Sequence, residues 1–140
     1  MDDPAATPIA VLLIDDELLF RETMAKRLRK RSFTVHQAGS GLEGLRIVHT
    51  TPIDVIILDV RMPGMDGLQT LRELRMTFPR IPVIMLTGHG DSDAVISGMS
   101  MGAFEYLAKP ADLNELLAVI RVAATRSQRG RGKSGQPATS

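Results

Sequence analysis

The stretch DVIILDVRMPGMDG, residues 54–67, decides the fold of this chain. Its run 55–58 is apolar throughout, which is typical of a strand buried on both faces of a parallel sheet. The run ends in an acid, Asp59. In open α/β sheets ligands bind beyond the carboxyl ends of the strands. A buried strand that ends in a carboxylate therefore predicts an α/β fold with a polar site at that edge.

Four further runs rich in apolar or β-branched residues lie on either side of this strand. Runs 9–15 and 81–86 are also nearly all apolar, and run 103–108 is the last of the series. Run 33–38 alternates in polarity, which suits an edge strand. Segments with helical spacing separate the runs. Their apolar repeats are Phe20, Met24 and Leu28; Leu42, Leu45 and Val48; Leu68, Leu71 and Leu74; and Leu113, Leu116, Leu117 and Ile120.

The alternation of five strands with five helices predicts a single doubly wound α/β domain around a five-stranded parallel sheet. Two helix starts carry capping-box spacings, Ser40 with Glu43 and Asp112 with Glu115. Residues 94–102 contain two Gly and two Ser, so the fourth helix has poor intrinsic propensity.

Composition excludes several classes of protein. The 140 residues are 44% hydrophobic and 24% charged, as in a globular domain. There is no Cys, which excludes disulfides, thiolate zinc sites and cysteine nucleophiles. No apolar run reaches membrane-spanning length, and the acidic start is unlike a secretion signal. We expect a cytoplasmic protein that does not contact membranes.

Charge divides the chain unevenly. Residues 1–120 carry a net charge of −4, whereas residues 121–140 carry +5 and no acid. We expect a disordered N-terminus over 1–7, a folded domain over 8–125 and a basic, flexible tail over 126–140. The tail is interpreted first as a solubilising segment or linker, and second as a site for nucleic acid or an acidic partner.

Polar side chains follow four of the predicted strands. The first strand is followed by Asp15, Asp16 and Glu17, and the third ends in Asp59. Singly, each such group is most simply a turn or helix-cap residue. Together with the hydroxyl of Thr87 and the ammonium of Lys109, these acids would form one polar group at a single edge of the sheet. The fourth and fifth strands end in Thr87-Gly88 and Lys109-Pro110.

This set of side chains predicts metal-assisted phosphoryl transfer. Oxygen ligands without Cys or a nearby pair of His favour Mg²⁺ over Zn²⁺. A carboxylate can act as a nucleophile and form an aspartyl phosphate. Lys109 would neutralise phosphoryl oxygens, and Thr87 would donate a hydrogen bond to one of them.

Four motifs together resemble the receiver domain of response regulators in two-component signal transduction, of the chemotaxis-regulator type. They are LLIDDE (12–17), VIILDVRMPGMDG (55–67), VIMLTGHGD (83–91) and AFEYLAKP (103–110). Their order and spacing match across residues 8–125. The resemblance implies a flavodoxin-like sheet with strand order 2-1-3-4-5, and the acidic site at the switch point between strands 1 and 3.

The resemblance also implies roles for individual residues. Asp59 would be the phosphoacceptor. Mg²⁺, or Mn²⁺ as a substitute, would be bound directly by Asp16, Asp59 and the main-chain carbonyl of Arg61, and by Asp15 through a water. Thr87 and Tyr106 would be the switch hydroxyl and switch aromatic. The remaining roles are phosphoryl binding by Lys109, a cis peptide bond at Pro110, and control of phosphate lifetime by Arg61 and His89.

By the same resemblance, the partners would be a sensor histidine kinase or phosphotransfer protein and a downstream effector. A homodimer through the fourth helix, fifth strand and fifth helix is expected by analogy, and nucleic acid is not expected on this domain. The protein would be a switch that assists its own phosphorylation and dephosphorylation, and not an enzyme that acts on outside substrates. The basic run 26–31 is interpreted as a solvated helix end, with kinase docking as second choice.

Two alternative functions remain at this point, a phosphatase and a scaffold, and a third, dinucleotide binding, is set aside. A phosphatase with an aspartate nucleophile usually has a second acid two residues later, where this chain has Arg61. A scaffold without phosphorylation would not need all of the strand-end polar groups. The GSGLEG stretch (39–44) matches a dinucleotide-binding pattern, but it follows the predicted edge strand, away from the switch point. We interpret Gly39 as a turn, Ser40 as an N-cap, and Gly41 and Gly44 as weak helix positions.

Overall fold

The computed structural model describes residues 7–61, 67–88 and 91–135, with side chains as far as residue 127. These ranges contain alternating strands and helices. In chain order the elements are β1 (Ala10–Ile14), α1 (Leu18–Arg29), β2 (Thr34–Ala38), α2 (Gly41–Thr50), β3 (Val55–Asp59), α3 (Gly67–Thr77), β4 (Val83–Thr87), α4 (Ser92–Ser100), β5 (Glu105–Ala108) and α5 (Leu113–Gly135).

The five strands form one parallel sheet in the order β2-β1-β3-β4-β5. Strand β1 lies between β2 and β3, and its last residue, Ile14, is opposite both Ala38 and Leu58. The chain adds strands on one side of β1 and then on the other, so the switch point lies between β1 and β3. The predicted flavodoxin-like architecture and strand order are confirmed.

The sheet separates two hydrophobic cores. Every residue of β3 and β4 is buried, as their apolar sequences predict, whereas β2 has exposed and half-buried positions, as expected of an edge. The first core packs α1 and α5 against one face, through residues such as Leu28 and Leu116. The second packs α2, α3 and α4 against the other face, through Leu71, Leu74 and neighbouring side chains.

Both predicted capping boxes mark real helix starts. Ser40 Oγ accepts a hydrogen bond of 3.1 Å from the Glu43 amide, and Glu43 Oε1 accepts one of 2.7 Å from the Gly39 amide. At α5, Asp112 Oδ2 accepts a hydrogen bond of 3.3 Å from the Glu115 amide. These bonds satisfy amides that have no partner inside the helix.

Two glycines of α2 have a packing role that the sequence did not indicate. A Cβ atom on Gly41 would lie 2.0 Å from Thr70 Oγ1, and one on Gly44 would lie 2.4 Å from Ile14 Cδ1. Gly41, Gly44 and Val48 form the buried face of α2, whereas Leu42 is exposed. Both glycines are helix positions, as interpreted from the sequence, and they also allow α2 to approach its neighbours closely.

At the C-terminal end α5 extends past the predicted start of the tail, and the flexibility of residues 126–140 stays a prediction. The predicted flexible tail began at residue 126, but α5 continues through Gly135. Ser127 is buried, and the guanidinium of Arg126 lies 5.1 Å from the centre of the Phe104 ring, so packing continues past the predicted boundary. Of the predicted N-terminal segment only Thr7 lies within the described residues. None of the described helices combines the length and apolar character needed to cross a bilayer.

Candidate functional site

Side chains from four strand ends meet at the carboxyl edge of the sheet. Asp15 directly follows β1, Asp59 ends β3, Thr87 ends β4, and Lys109 directly follows β5. They converge because all five strands are parallel and therefore end at the same edge. Asp15, Asp59 and Thr87 are each no more than 3% exposed. The site is thus a polar group of side chains almost withdrawn from water.

Lys109 lies among the carboxylates. Its ammonium Nζ is 3.0 Å from Asp15 Oδ2 and 3.4 Å from Asp59 Oδ2, and it also donates a hydrogen bond to Glu17. The same atom lies 4.6 Å above the centre of the Phe20 ring. One cation therefore offsets the repulsion among three acids, which at short range and low dielectric amounts to several kcal/mol per pair.

The three acids around Lys109 have the geometry of a cation site. One carboxylate oxygen from each of Asp15, Glu17 and Asp59 lies within 4.8 Å of the others. The buried Asp15 Oδ2 has the Lys109 ammonium, 3.0 Å away, as its partner among the described residues. A cluster of carboxylate oxygens alone suits a hard divalent ion such as Mg²⁺.

Glu17 belongs to this cluster, and sequence reasoning did not select it as a ligand. Glu17 has extended backbone angles (φ −82°, ψ 98°), and in extended chain side chains two residues apart share a face. This spacing is the signal that would have paired Glu17 with Asp15. The predicted ligand Asp16 is exposed and lies outside the cluster of three. Its coordination of a metal stays a prediction.

Burial controls the electrostatics of Asp59. Burial raises the pKa of Asp59 to about 6, and the nearby charge of Asp15 adds to the increase. A hydrogen bond from the Arg61 amide to Oδ1, 3.0 Å long, and the contact with Lys109 lower the pKa in part. For Lys109, burial lowers the pKa, but hydrogen bonds to Glu17 and Asp15 and the nearby carboxylate charges outweigh burial and raise it.

The loop between β1 and α1 is held by contacts that link it to the edge strand. Asp15 Oδ1 accepts a hydrogen bond of 2.9 Å from the Glu17 amide. Arg21 Nη1 donates to the main-chain oxygen of Asp15 at 2.7 Å, and its Nε donates to Gln37 Oε1 on β2 at 3.0 Å. Arg21 was not predicted as a site residue, and nothing in its sequence pattern marks it.

The predicted switch residues lie on β4 and β5. Thr87 Oγ1 donates a long hydrogen bond of 3.5 Å to the main-chain oxygen of Leu107, whereas Tyr106 is 43% exposed. The Lys109 amide donates to the Thr87 carbonyl at 2.7 Å, which joins the ends of the two strands. The Lys109–Pro110 peptide bond is cis.

The rim of the site is formed by Arg61 and the start of α4. Arg61 is 65% exposed, and its Nε lies 3.8 Å from Asp91 Oδ1. The other oxygen of Asp91 accepts a hydrogen bond of 2.6 Å from the Gly88 amide. His89, the other predicted lifetime-tuning residue, lies outside the described residues.

Comparison with protein families finds that residues 11–121 match the response regulator receiver domain. The DNA-binding transcriptional regulator NtrC of Escherichia coli (strain K12) is 36% identical over 118 residues, which are 84% of this chain and 25% of NtrC. The response regulator MprA of Mycobacterium sp. (strain KMS) is 34% identical over 125 residues, which are 89% of this chain and 54% of MprA. The chain thus spans between a quarter and about half the length of these relatives.

Comparison with solved structures also finds receiver domains of response regulators. A response regulator receiver domain protein from Clostridium thermocellum superposes with a TM-score of 0.81 at 39% identity, covering 86% of this chain and 97% of that chain. The receiver domain of the Francisella response regulator 1452 superposes with a TM-score of 0.78 at 29% identity, covering 86% and 99%.

Proposed function

This chain belongs to the response regulator receiver domain family of two-component systems, and on that premise we propose that Asp59 accepts a phosphoryl group from a sensor histidine kinase or phosphotransfer protein. The modified domain then controls a downstream partner. The observation that carries this proposal is the position of Asp59: it is buried, it ends β3 beside the switch point, and it contacts Lys109. Members of this family act as signalling phosphoacceptors, so the chemistry ends in a modified protein.

The acceptor must be ionised to act as a nucleophile. With a pKa of about 6, Asp59 is largely deprotonated at neutral pH. Its Oδ1 is occupied by the Arg61 amide, whereas Oδ2 faces Lys109. We propose that Oδ2 attacks phosphorus. The bond between phosphorus and the kinase histidine breaks, and the histidine nitrogen keeps the electron pair.

We propose that phosphoryl transfer to Asp59 requires a divalent cation. We propose that Asp16, Asp59 and the main-chain carbonyl of Arg61 hold Mg²⁺ or Mn²⁺ directly and Asp15 through a water, with Glu17 as a further ligand. Glu17 is added because one of its carboxylate oxygens lies in the cluster with Asp15 and Asp59. When bound, the ion offsets the repulsion between these carboxylates and the incoming phosphoryl oxygens.

Phosphorylation would change the contacts of three side chains. Lys109 would pair with a phosphoryl oxygen, because its Nζ already lies beside Asp59. Thr87 would donate to another oxygen and give up its long bond to the Leu107 carbonyl. Tyr106, which is half-exposed on β5, would then turn inward. These movements change the surface of α4, β5 and α5, where we place the effector contact and a homodimer.

Control of phosphoryl hydrolysis is a further proposed property of this domain. We propose that Arg61 and His89 set the lifetime of the aspartyl phosphate, and that the domain assists its own dephosphorylation. A phosphatase acting on outside substrates is less consistent with the site, because the position two residues after Asp59 holds an exposed arginine in place of an acid. Replacing both Arg61 and His89 should change the decay rate of the phosphoprotein; an unchanged rate would remove the assignment.

Intact-mass spectrometry after incubation with Mg²⁺ and a small phosphodonor tests the phosphoacceptor directly. We expect one added phosphoryl group on the unaltered chain and none after Asp59→Asn or with EDTA. Asp54→Asn is the matched control, because Asp54 is a buried acid just before the same strand and away from the site. It should still be modified.

Failure to form the adduct with a small donor would not yet distinguish a scaffold from a kinase-specific site. The same samples should therefore be incubated with phosphorylated histidine kinase domains. No transfer from any such domain, with Mg²⁺ binding present, would contradict the proposed function and favour a scaffold.

A further inference from the structure

A cavity lies at the opposite edge of the sheet from Asp59. It has a volume of about 260 Å³ and adjoins the amino-terminal ends of β4 and β5. Three arginines line it: Arg75 from α3, Arg80 from the connection between α3 and β4, and Arg126 from α5. Among its described lining residues none is acidic. Arginines from three separate elements therefore line one small space.

Two of these arginines are held in position. Arg75 Nη1 donates a hydrogen bond of 2.8 Å to the Pro79 carbonyl, and Arg75 Nε packs against Gly102 so closely that a Cβ there would lie 2.9 Å away. The Arg126 guanidinium lies over the Phe104 ring. Because these contacts fix the arginines before any ligand arrives, little side-chain entropy is lost on binding.

We propose that this cavity binds a small polyanion whose phosphate or carboxylate groups contact the three arginines. An anion in the cavity would be attracted by the positive charges of the arginines that line it. A guanidinium presents a planar set of N–H donors that matches either oxyanion in bidentate fashion. The cavity is smaller than the roughly 300–1,000 Å³ of pockets for drug-sized ligands, so the ligand is small, such as pyrophosphate or citrate.

The site is independent of the phosphoacceptor. In the absence of metal, the negative charges of Asp15, Glu17 and Asp59 would repel an anion at the carboxyl edge of the sheet, so the anion would not bind there. Gly102 and Phe104 belong to the segment that joins α4 to β5, so a ligand in the cavity would also contact the connection between two elements of the proposed effector surface.

NMR titration of the full chain in metal-free buffer at neutral pH tests the proposal, with pyrophosphate and citrate in separate series. We expect saturable shifts of the Gly102 and Phe104 amides and of the Nε–Hε signals of Arg75 and Arg126. The tighter-binding anion identifies the ligand class as phosphate or carboxylate. The amides next to Asp59 should not follow the same binding curve.

Variants distinguish a built site from general attraction to a basic protein. Arg75→Gln and Arg126→Gln should each weaken binding about tenfold, the effect of losing a charge-assisted contact. Arg72→Gln is the matched control, because Arg72 is an exposed arginine of the same helix that does not line the cavity. Equal weakening by Arg72→Gln, or no saturable shift with either anion, would overturn the proposal.

Discussion

The Lys109 ammonium lies 3.4 Å from Oδ2 of Asp59, although 50 residues separate the two in the chain. The same ammonium also contacts Asp15 and Glu17. Lys109 is thus the counter-charge of the carboxylate cluster within the described residues. A divalent cation bound to these carboxylates would offset the same repulsion, so lysine and metal have overlapping electrostatic roles.

The first prediction concerns Lys109→Met, which keeps most of the apolar stem of the side chain but removes the ammonium, and with it the contact of Nζ with the Phe20 ring. Without metal we expect the free energy of unfolding to fall by about 2 kcal/mol, because partly buried carboxylates lose their cation. Mg²⁺ should restore most of this loss and bind the variant more tightly than the unaltered chain. Urea denaturation with and without Mg²⁺ measures both effects. Lys26→Met, on the outer surface of α1, is the control, and a loss that Mg²⁺ leaves unchanged would contradict the prediction.

The second prediction concerns pH. The pKa of Asp59 is raised from 3.8 to about 6 in the folded protein. Between these values the folded state binds more protons than the unfolded state, so its stability falls as pH rises and then levels off. In metal-free buffer, Asp59→Asn should therefore be more stable than the unaltered chain near neutral pH, by on the order of 1–3 kcal/mol.

The advantage of Asp59→Asn should shrink as the pH is lowered from about 7 towards 4, because Asp59 then becomes protonated and neutral. Urea denaturation across this range, without divalent ions, gives the two stability profiles. Asn keeps an oxygen that can accept the Arg61 amide, so the local backbone is preserved. Parallel profiles at all pH values would show that Asp59 ionises in the folded protein as it does in the unfolded chain.

The third prediction separates modification from the conformational response. Thr87→Ala removes the hydroxyl that we expect to bind the phosphoryl group, but it leaves Asp59 and its neighbours in place. The mass adduct should still form with a small phosphodonor and Mg²⁺, whereas the phosphorylation-dependent NMR shifts of Tyr106 and Leu107 should be largely lost. Thr87→Ser, which keeps the hydroxyl, should retain them. Unaltered shifts in Thr87→Ala would remove Thr87 from the switch.

The fourth prediction tests the close approach of α2 and α3. In an exposed helix, Gly→Ala stabilises by about 1 kcal/mol. At Gly41 the new Cβ would lie 2.0 Å from Thr70 Oγ1, and Thr70 is fully buried. We expect Gly41→Ala to lower the free energy of unfolding by about 1–3 kcal/mol instead.

A double-mutant cycle identifies the cause of that loss. Thr70→Ala removes the crowded oxygen, so the double variant should lose clearly less stability than the sum of the two single variants. Urea denaturation of all four proteins provides the cycle. If the losses in free energy of unfolding of the two single variants simply add in the double variant, contact with Thr70 is not the cause of the Gly41→Ala loss.

The strands could be predicted because burial on both faces leaves little choice of residue. Runs such as 55–58 are apolar at every position, and the structure buries every residue of β3. The convergence of Asp59, Thr87 and Lys109 followed from topology alone, since parallel strands end at one edge of the sheet.

Other features depend on contacts that no local pattern records. The inclusion of Glu17 and not Asp16 in the carboxylate cluster follows from the backbone angles of one short loop. Arg21 reaches the Asp15 carbonyl through a long side chain that has many other rotamers. The role of Gly41 depends on Thr70, which lies in a different helix. In each case the partner is set by tertiary packing, which a single sequence does not show.

The two hydrophobic cores have a consequence for how the protein can acquire new partners. Helix α1 packs in the core on one face of the sheet and α4 in the core on the other. Substitutions that fit α1 to a new kinase would therefore leave the packing of α4 in place, whereas α5, the other helix of the proposed effector surface, shares the core of α1. In a designed signalling circuit, an effector contact confined to α4 is therefore the one that can be exchanged without repacking the helix that meets a new sensor.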